Sequence, residues 1–223
     1  MPQSDMLVAE ADWGYPHLVH MISRSPDPVH PLSDLAEVFA GLAVGRKTTD
    51  EGELTPVIGV ADLDGFGSVA GRAALEQQRL VPGRAIDGYR ARTGDVLLTA
   101  RGTQLKVAVV DEATDGAIVS ANLLCIRPRP ERLVPGALAA WLQTAPGHAA
   151  LTDRFHSTTG LLALTTPVVR ALPVPVPAMA VQAQAAALFD ATRTGYSAAR
   201  RAADARRALG LAAISTLFSQ DAR

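Results

Sequence analysis

The tetrapeptide Arg101-Gly102-Thr103-Gln104 lies between two apolar runs, Val96 to Ala100 and Leu105 to Val110, and carries the most informative side chains of the sequence. An arginine guanidinium can donate two parallel hydrogen bonds to guanine, a glutamine amide can pair with adenine, and a glycine lets backbone come close to a phosphate. Thr103 and Lys106 add a hydroxyl and an ammonium beside them. A second loop, His156-Ser157-Thr158-Thr159-Gly160, preceded by Arg154, is rich in hydroxyls suited to phosphate and base contacts. Arg46 and Lys47, in the loop GRKTTDEG, are the only paired bases in the N-terminal third. All three stretches are also of ordinary loop composition.

Other chemistry is poorly served. His17 and His20, three apart in HLVHMIS, would share one face of a helix but point to opposite faces of a strand, and no further ligand type clusters near them, so they read as surface or core histidines. Asp111, Glu112 and Asp115 form an acidic group with no lysine in a strand-paired arrangement, which reads as a solvated turn rather than a nuclease site. Cys125 is the single cysteine, which excludes a disulfide scaffold and a cysteine-ligated zinc. The glycine-rich cofactor loop and Asn-Pro-Pro-aromatic tetrad of a methyltransferase are missing, as are GxxxxGK[ST] and HExxH. The sequence thus points away from an enzyme and away from a bound metal.

The elements that must position these loops are those of an α+β body followed by one long helix. Short alternating runs predict strands over His17 to Ser23, Pro56 to Val60, Val96 to Ala100 and Leu105 to Val110, the last two forming a hairpin after a Thr93-Gly94-Asp95 turn. Asp62-Leu63-Asp64-Gly65 closes the strand before it, and a polar span of low order separates the two. Ala117 to Val119 and Asn122 to Ile126 predict a second β pair. Ser33 and Asp34 can cap a short helix over Leu35 to Phe39, and further helices are expected over Pro135 to Thr144 and Pro146 to Phe155. The result is a curved mixed sheet with helices on one side, over residues 1–177. Pro173, Pro175 and Pro177 then force an extended strap, because proline fixes φ and removes a donor. From Ala178 no proline interrupts an Ala, Gln, Arg and Leu-rich run, so residues 178–223 are expected as a helix of about 40 residues, roughly 60 Å long.

Composition bounds the rest. A chain of 223 residues, 48% hydrophobic, can bury one ordinary core with an appended element. The net charge of −1 conceals an uneven distribution: residues 1–64 hold eleven acids against Arg24, Arg46 and Lys47, and residues 65–223 hold eighteen bases against eleven acids. A basic face for a polyanion is one reading, and solvated surface charge is the other. With no signal-peptide pattern and no run of 18 apolar residues, a soluble cytoplasmic protein is expected.

In order along the chain, PLSDLAEVFAGLAVGRK, PVIGVADLDG, RTGDVLLTARGTQLKVAVV, NLLCIRPRPERLVPGALAAWLQTAPG, STTG and ALPVPVPAMAVQAQAAALF resemble one target-recognition domain and one helical spacer of a type I restriction-modification specificity subunit. The resemblance spans Pro31 to Phe218. It implies a non-catalytic subunit of a phage-defence system that reads double-stranded DNA and directs a partner adenine-N6 methyltransferase to a bipartite site, in some systems with a restriction subunit. S-adenosylmethionine is then expected in that partner and no cofactor in this chain. Two departures stand out. A full-length specificity subunit carries two recognition domains and two spacers, so this chain resembles a half-subunit. The spacer's usual acidic pair before the glutamine is absent, since Ala180 and Val181 precede Gln182, which predicts a weakened contact at the start of the helix.

On the long helix Phe189, Tyr196, Ala203, Gly210 and Leu217 recur every seven residues, with Leu188, Ala199 and Ile214 close to the same stripe, a coiled-coil period. Isologous antiparallel pairing of two copies through this stripe is the expected assembly, and a helix folded back on its own body is the alternative. A homodimer of identical readers implies an interrupted palindrome as target. A helical scaffold without sequence readout would use the same stripe.

Overall fold

The computed structural model describes residues 27–44, 48–153 and 162–220; the expected strand at His17 to Ser23 lies outside them. The chain opens with β1 (Val29–Pro31), β2 (Ala36–Ala40), β3 (Thr48–Ile58), β4 (Gly67–Ser68) and β5 (Glu76–Leu80), followed by a single-turn helix α1 (Arg84–Asp87). Next come β6 (Val96–Thr99), β7 (Arg101–Gly102), β8 (Val107–Val109), β9 (Ile118–Val119) and β10 (Leu123–Pro128). The helices α2 (Pro135–Gln143) and α3 (Ala145–Thr152), β11 (Leu162–Ala163), α4 (Thr166–Arg170) and β12 (Pro173–Pro175) complete the body, and α5 (Met179–Gln220) leaves it.

A five-stranded mixed sheet in the order β2-β10-β6-β8-β4 divides the core into two layers. Side chains alternate across a strand, so Val38, Val96, Leu98, Leu124 and Ile126 face one side and pack on Leu138, Leu142, Leu151 and Val169 of the helices. Leu97, Ala108, Leu123 and Cys125 face the other side, against Ile58, Leu63, Leu75 and Val119. That second layer is closed by a three-stranded sheet, β5-β3-β9. The α+β class and the long C-terminal helix agree with the reading of the sequence; α2, α3 and α4 gather on one side as expected, while the short α1 packs through Ile86 on the three-stranded sheet.

Three local expectations are overturned. Leu35 to Phe39 is not a helix: a 3-10 turn over Leu32–Asp34 takes up the capping residues, and β2 begins at Ala36 and pairs antiparallel with β10, its buried Ala36 and Val38 alternating with exposed Glu37. Val38 and Phe39 suit a pleated surface better than a helix of one turn. Ile118–Val119 and Leu123–Pro128 are not partners of each other. β9 pairs parallel with Val57 and Ile58 of β3, while β10 enters the other sheet between β2 and β6, and the turn closed by Leu123 N–H on Ser120 O at 2.9 Å carries the chain from one to the other. The polar span after Gly65 is ordered, and its β5 pairs with β3.

Asp95 is 1% exposed at the start of β6, and two parallel 2.8 Å bonds from Arg127 Nε and Nη2 hold its carboxylate. The Arg92 N–H adds a third at 2.8 Å, Arg127 Nη2 also reaches the carbonyl of Arg90, and the guanidinium carbon lies 5.3 Å from the centre of the Phe39 ring. Donating to the Asp95 carboxylate raises the Arg127 pKa, and burial, reinforced by the same carboxylate, pushes the Cys125 thiol far above its usual range. Cys125 therefore serves as a small apolar side chain, not a nucleophile.

Gln182 joins the helix to the body. Only 1% exposed, its Oε1 accepts from the Val134 N–H at 2.9 Å, and its Nε2 donates to the carbonyls of Pro177 at 2.9 Å and Arg132 at 3.3 Å. The expectation of a weakened contact in the first turn is thus corrected: one neutral amide ties the strap, the turn before α2 and the helix together. Three further contacts follow at helical spacing. Gly136 of α2 admits Ala186, the Phe189 ring lies over Gly67, where φ is +112° and any Cβ would strike the ring, and the rings of Phe66 and Tyr196 have centroids 3.7 Å apart. From Ala198 to Ser219 every residue is exposed. The body therefore holds the start of the helix and releases the remainder. No helix among the described residues is long and apolar enough to cross a membrane.

Gln182→Ala leaves an N–H and two carbonyls without their partner and should cost about 3 kcal/mol in urea unfolding. Arg127→Ala, which strands a buried carboxylate, should cost about 3–5 kcal/mol by the same measurement.

Candidate nucleic-acid interface

The hairpin of β6 and β8 forms as expected, with Val96, Leu97 and Leu98 opposite Val109, Ala108 and Val107. Its tip is fixed from both sides. Asn122 O accepts from the N–H groups of Ala100 at 2.8 Å and Arg101 at 3.3 Å, and Gly102 and Arg101 pair antiparallel with Leu162 and Ala163 of β11. That pairing sets β11, which follows the second sequence-predicted loop in the chain, beside the start of the first. The loop starts after α3, whose His148 and Thr152 line one depression with Thr103, Gln104 and Phe66. Arg154, His156, Ser157, Thr158 and Thr159 themselves lie outside the described residues, and so do Arg46 and Lys47.

The third polar stretch is anchored nearby. Ala121 N–H donates to Leu42 O at 2.8 Å, and Gly41 sits so close to the Ser120 carbonyl that a Cβ has no room. Val44, the last described residue before Arg46, shares a depression with Ser120, Ala121 and Asn122. The turn Ser120–Asn122 thus touches the root of one loop and the tip of the hairpin. Leu42, Arg101–Gly102 and Leu162–Ala163 are tied together by backbone bonds through the Ser120–Asn122 turn and β11, whereas Thr48, on the far side of the 45–47 loop, pairs with Leu80.

The candidates differ in what they are free to do. Arg101, Thr103 and Gln104 are exposed. Lys106 is not free: its Nζ donates to the carbonyls of Leu63 at 2.7 Å and Val60 at 3.2 Å, and its backbone N–H to Thr99 Oγ1 at 3.1 Å. It latches the turn after β3 to the hairpin. Sequence reasoning missed Asn122, whose carbonyl holds the start of the hairpin tip, and His148, whose only signal was its place in a proline-started helix next to the loop. Among the described residues no three His, Cys, Asp or Glu side chains are grouped to hold a metal ion. Exposed amides, hydroxyls and a guanidinium on a rigid edge can hydrogen-bond base edges and phosphates.

A two-layered mixed-sheet body followed by a long outgoing helix is the fold of the described residues. No family model and no curated protein matches the sequence. Solved structures do share the fold. The HsdS subunit from Thermoanaerobacter tengcongensis is similar with a TM-score of 0.55 and 19% identity, over 78% of this chain and 44% of that one. A structure described under complex assembly and conformational transition of the type I R-M system is similar with a TM-score of 0.61 and 17% identity, over 80% of this chain and 45% of that one. This chain spans less than half the length of the structures it matches.

Lys106→Met should lower the unfolding free energy by about 1–3 kcal/mol through loss of its two carbonyl bonds. Arg101→Ala and Gln104→Ala, at exposed positions, should leave it within about 0.5 kcal/mol.

Proposed function

We propose that this chain is the DNA-reading half of a type I specificity subunit, and that two copies joined through α5 form a complete one. The observation that carries the reading is the fold: a recognition body with a long helix, alike to HsdS over four fifths of this chain and to less than half of the matched chain. The pairing of the hairpin tip with β11, directly after the 154–161 loop, and the depression it shares with α3 support the location of the DNA face. Arg101, Thr103 and Gln104 read bases or phosphates from the hairpin, with Arg154, His156, Ser157, Thr158 and Thr159 and, beside them, Arg46 and Lys47. Lys106 supports them by holding the hairpin in place.

On this reading the chain performs no chemistry. It works in the cytoplasm, positioning an adenine-N6 methyltransferase that supplies its own S-adenosylmethionine, and a restriction subunit where the system has one. Two identical readers related by a twofold axis select an interrupted palindrome, because each presents the same surface to an inverted half-site. A purely structural role for the helix would need no polar edge on the body.

The test is a gel-shift salt titration of the chain with its methyltransferase. Affinity for cognate DNA should fall linearly on logarithmic axes as salt rises. Arg101→Ala should weaken cognate binding by about 1–3 kcal/mol and relax discrimination at one position of each half-site. Methylated adenines should map to an interrupted palindrome; salt-independent binding, or methylation unchanged by the paired alanine variants of Arg101 and Arg154, would refute the reading.

A further inference from the structure

The face of α5 that meets its own body passes through Gln182, Ala186, Phe189 and Arg193. Continued in steps of three and four, that face carries Arg200, Asp204 and Arg207, and then Leu211, Ile214 and Phe218. It meets the body through the apolar Ala186 and Phe189, is charged past it and is apolar again at the far end, where Leu211, Ile214 and Phe218 are 56%, 50% and 79% exposed. A helix that simply ran into solvent would gain nothing from a second apolar segment on the body-facing side. The pattern fits a helix with a body at each end.

Next to the helix start lies an open apolar groove of about 270 Å³, walled by Ala137, Ala140 and Trp141 of α2, by Pro175 and Pro177 of the strap and by Ala185. Ala185 is one turn before Leu188, which is 70% exposed. We propose that the groove receives the Leu217–Phe218 end of the helix of a second copy, so that each body grips its own helix at the start and the partner's helix at the tip. The inference rests on the antiparallel pairing proposed above and adds its register and a body-to-helix contact.

The register follows from the exposed stripe alone. With Leu188 opposite the partner's Leu217, Thr192 falls opposite the partner's Ala213, Gly195 opposite the partner's Gly210, and Ala202 opposite the partner's Ala203, so the stripe maps onto itself and the twofold axis passes between Ala202 and Ala203. Small residues lie at the crossing and leucines at both ends. Charge selects the same register. Arg200 and Arg201 meet the partner's Ala205 and Asp204, and Arg206 and Arg207 meet the partner's Ala199 and Ala198, whereas a slip of two residues would set Arg200 against the partner's Arg207 and Arg201 against the partner's Arg206.

The test uses the full chain with paired cysteines, the native thiol of Cys125 being buried and unreactive. Ala140→Cys combined with Phe218→Cys should give a disulfide-linked dimer on mild oxidation, as should Leu188→Cys with Leu217→Cys, and none of the single variants should link. Phe218→Ala, on a segment exposed among the described residues, should weaken self-association at least about 100-fold, because two symmetric rings are lost from the interface. A dimer by light scattering that links through Leu188→Cys and Leu217→Cys but not through Ala140→Cys and Phe218→Cys would overturn the groove contact while leaving the pairing in place, and would give the groove to another occupant such as residues 1–26. A chain that stays monomeric at micromolar concentration would overturn both.

Discussion

The direction of the long helix depends on one buried amide. Gln182 has no charge and faces no charge, yet it meets backbone groups from the strap at Pro177 and from the turn at Arg132 and Val134, some fifty residues earlier in the chain. A carboxylate there could not donate to the two carbonyls, and an aliphatic side chain would leave three polar groups dry. The amide is the one side-chain type of that length that offers an acceptor and two donors. Because the strap itself pairs with β1 and its prolines admit only extended geometry, the start of the helix is fixed in position by the prolines and in azimuth by the amide.

The body obeys a similar economy. Its central sheet is covered on both faces, so strands such as Leu123 to Ile126 are apolar at every position rather than at alternate ones. The ion pair of Asp95 and Arg127 closes the end of the sheet where β6 starts, with each carboxylate oxygen and two of the guanidinium nitrogens bonded. At the opposite end of β6 the hairpin tip is held by Asn122, β11 and the Lys106 latch. Polar side chains that must present their edges to a ligand sit best on elements that do not move, and Arg101 gains that rigidity from strands only two residues long.

Much of this was legible in advance. The hairpin announced itself by two apolar runs around a polar tetrapeptide, and the strap by its alternating prolines, because both signals are local. What was misread depends on distant partners. Ala36–Ala40 follows residues that look like a helix cap, and only its neighbour β10, near residue 126, makes it a strand. Glu76–Leu80 is polar and largely exposed up to the buried Leu80, as edge strands often are, so no alternation marked it. Lys106 carries the signature of a phosphate ligand in sequence and is spent on two carbonyls in space. For Gln182 the sequence held a cue but no magnitude: a glutamine in a helix is unremarkable until the turn that needs it is seen beside it.

The hold of the body on its helix ends near Tyr196, while the outward stripe from Leu188 to Leu217 begins before that point and continues beyond it. The two faces share the same turns and lie about a third of a revolution apart, so the helix converts a count of residues into an angle. Deleting a single residue between Tyr196 and Ala202 would leave every bond in the body intact, yet turn all that follows by about 100° and draw it in by about 1.5 Å. Adding seven would lengthen the arm by about 10 Å with almost no rotation. Phase, more than length, is what this stretch of alanines and arginines holds constant.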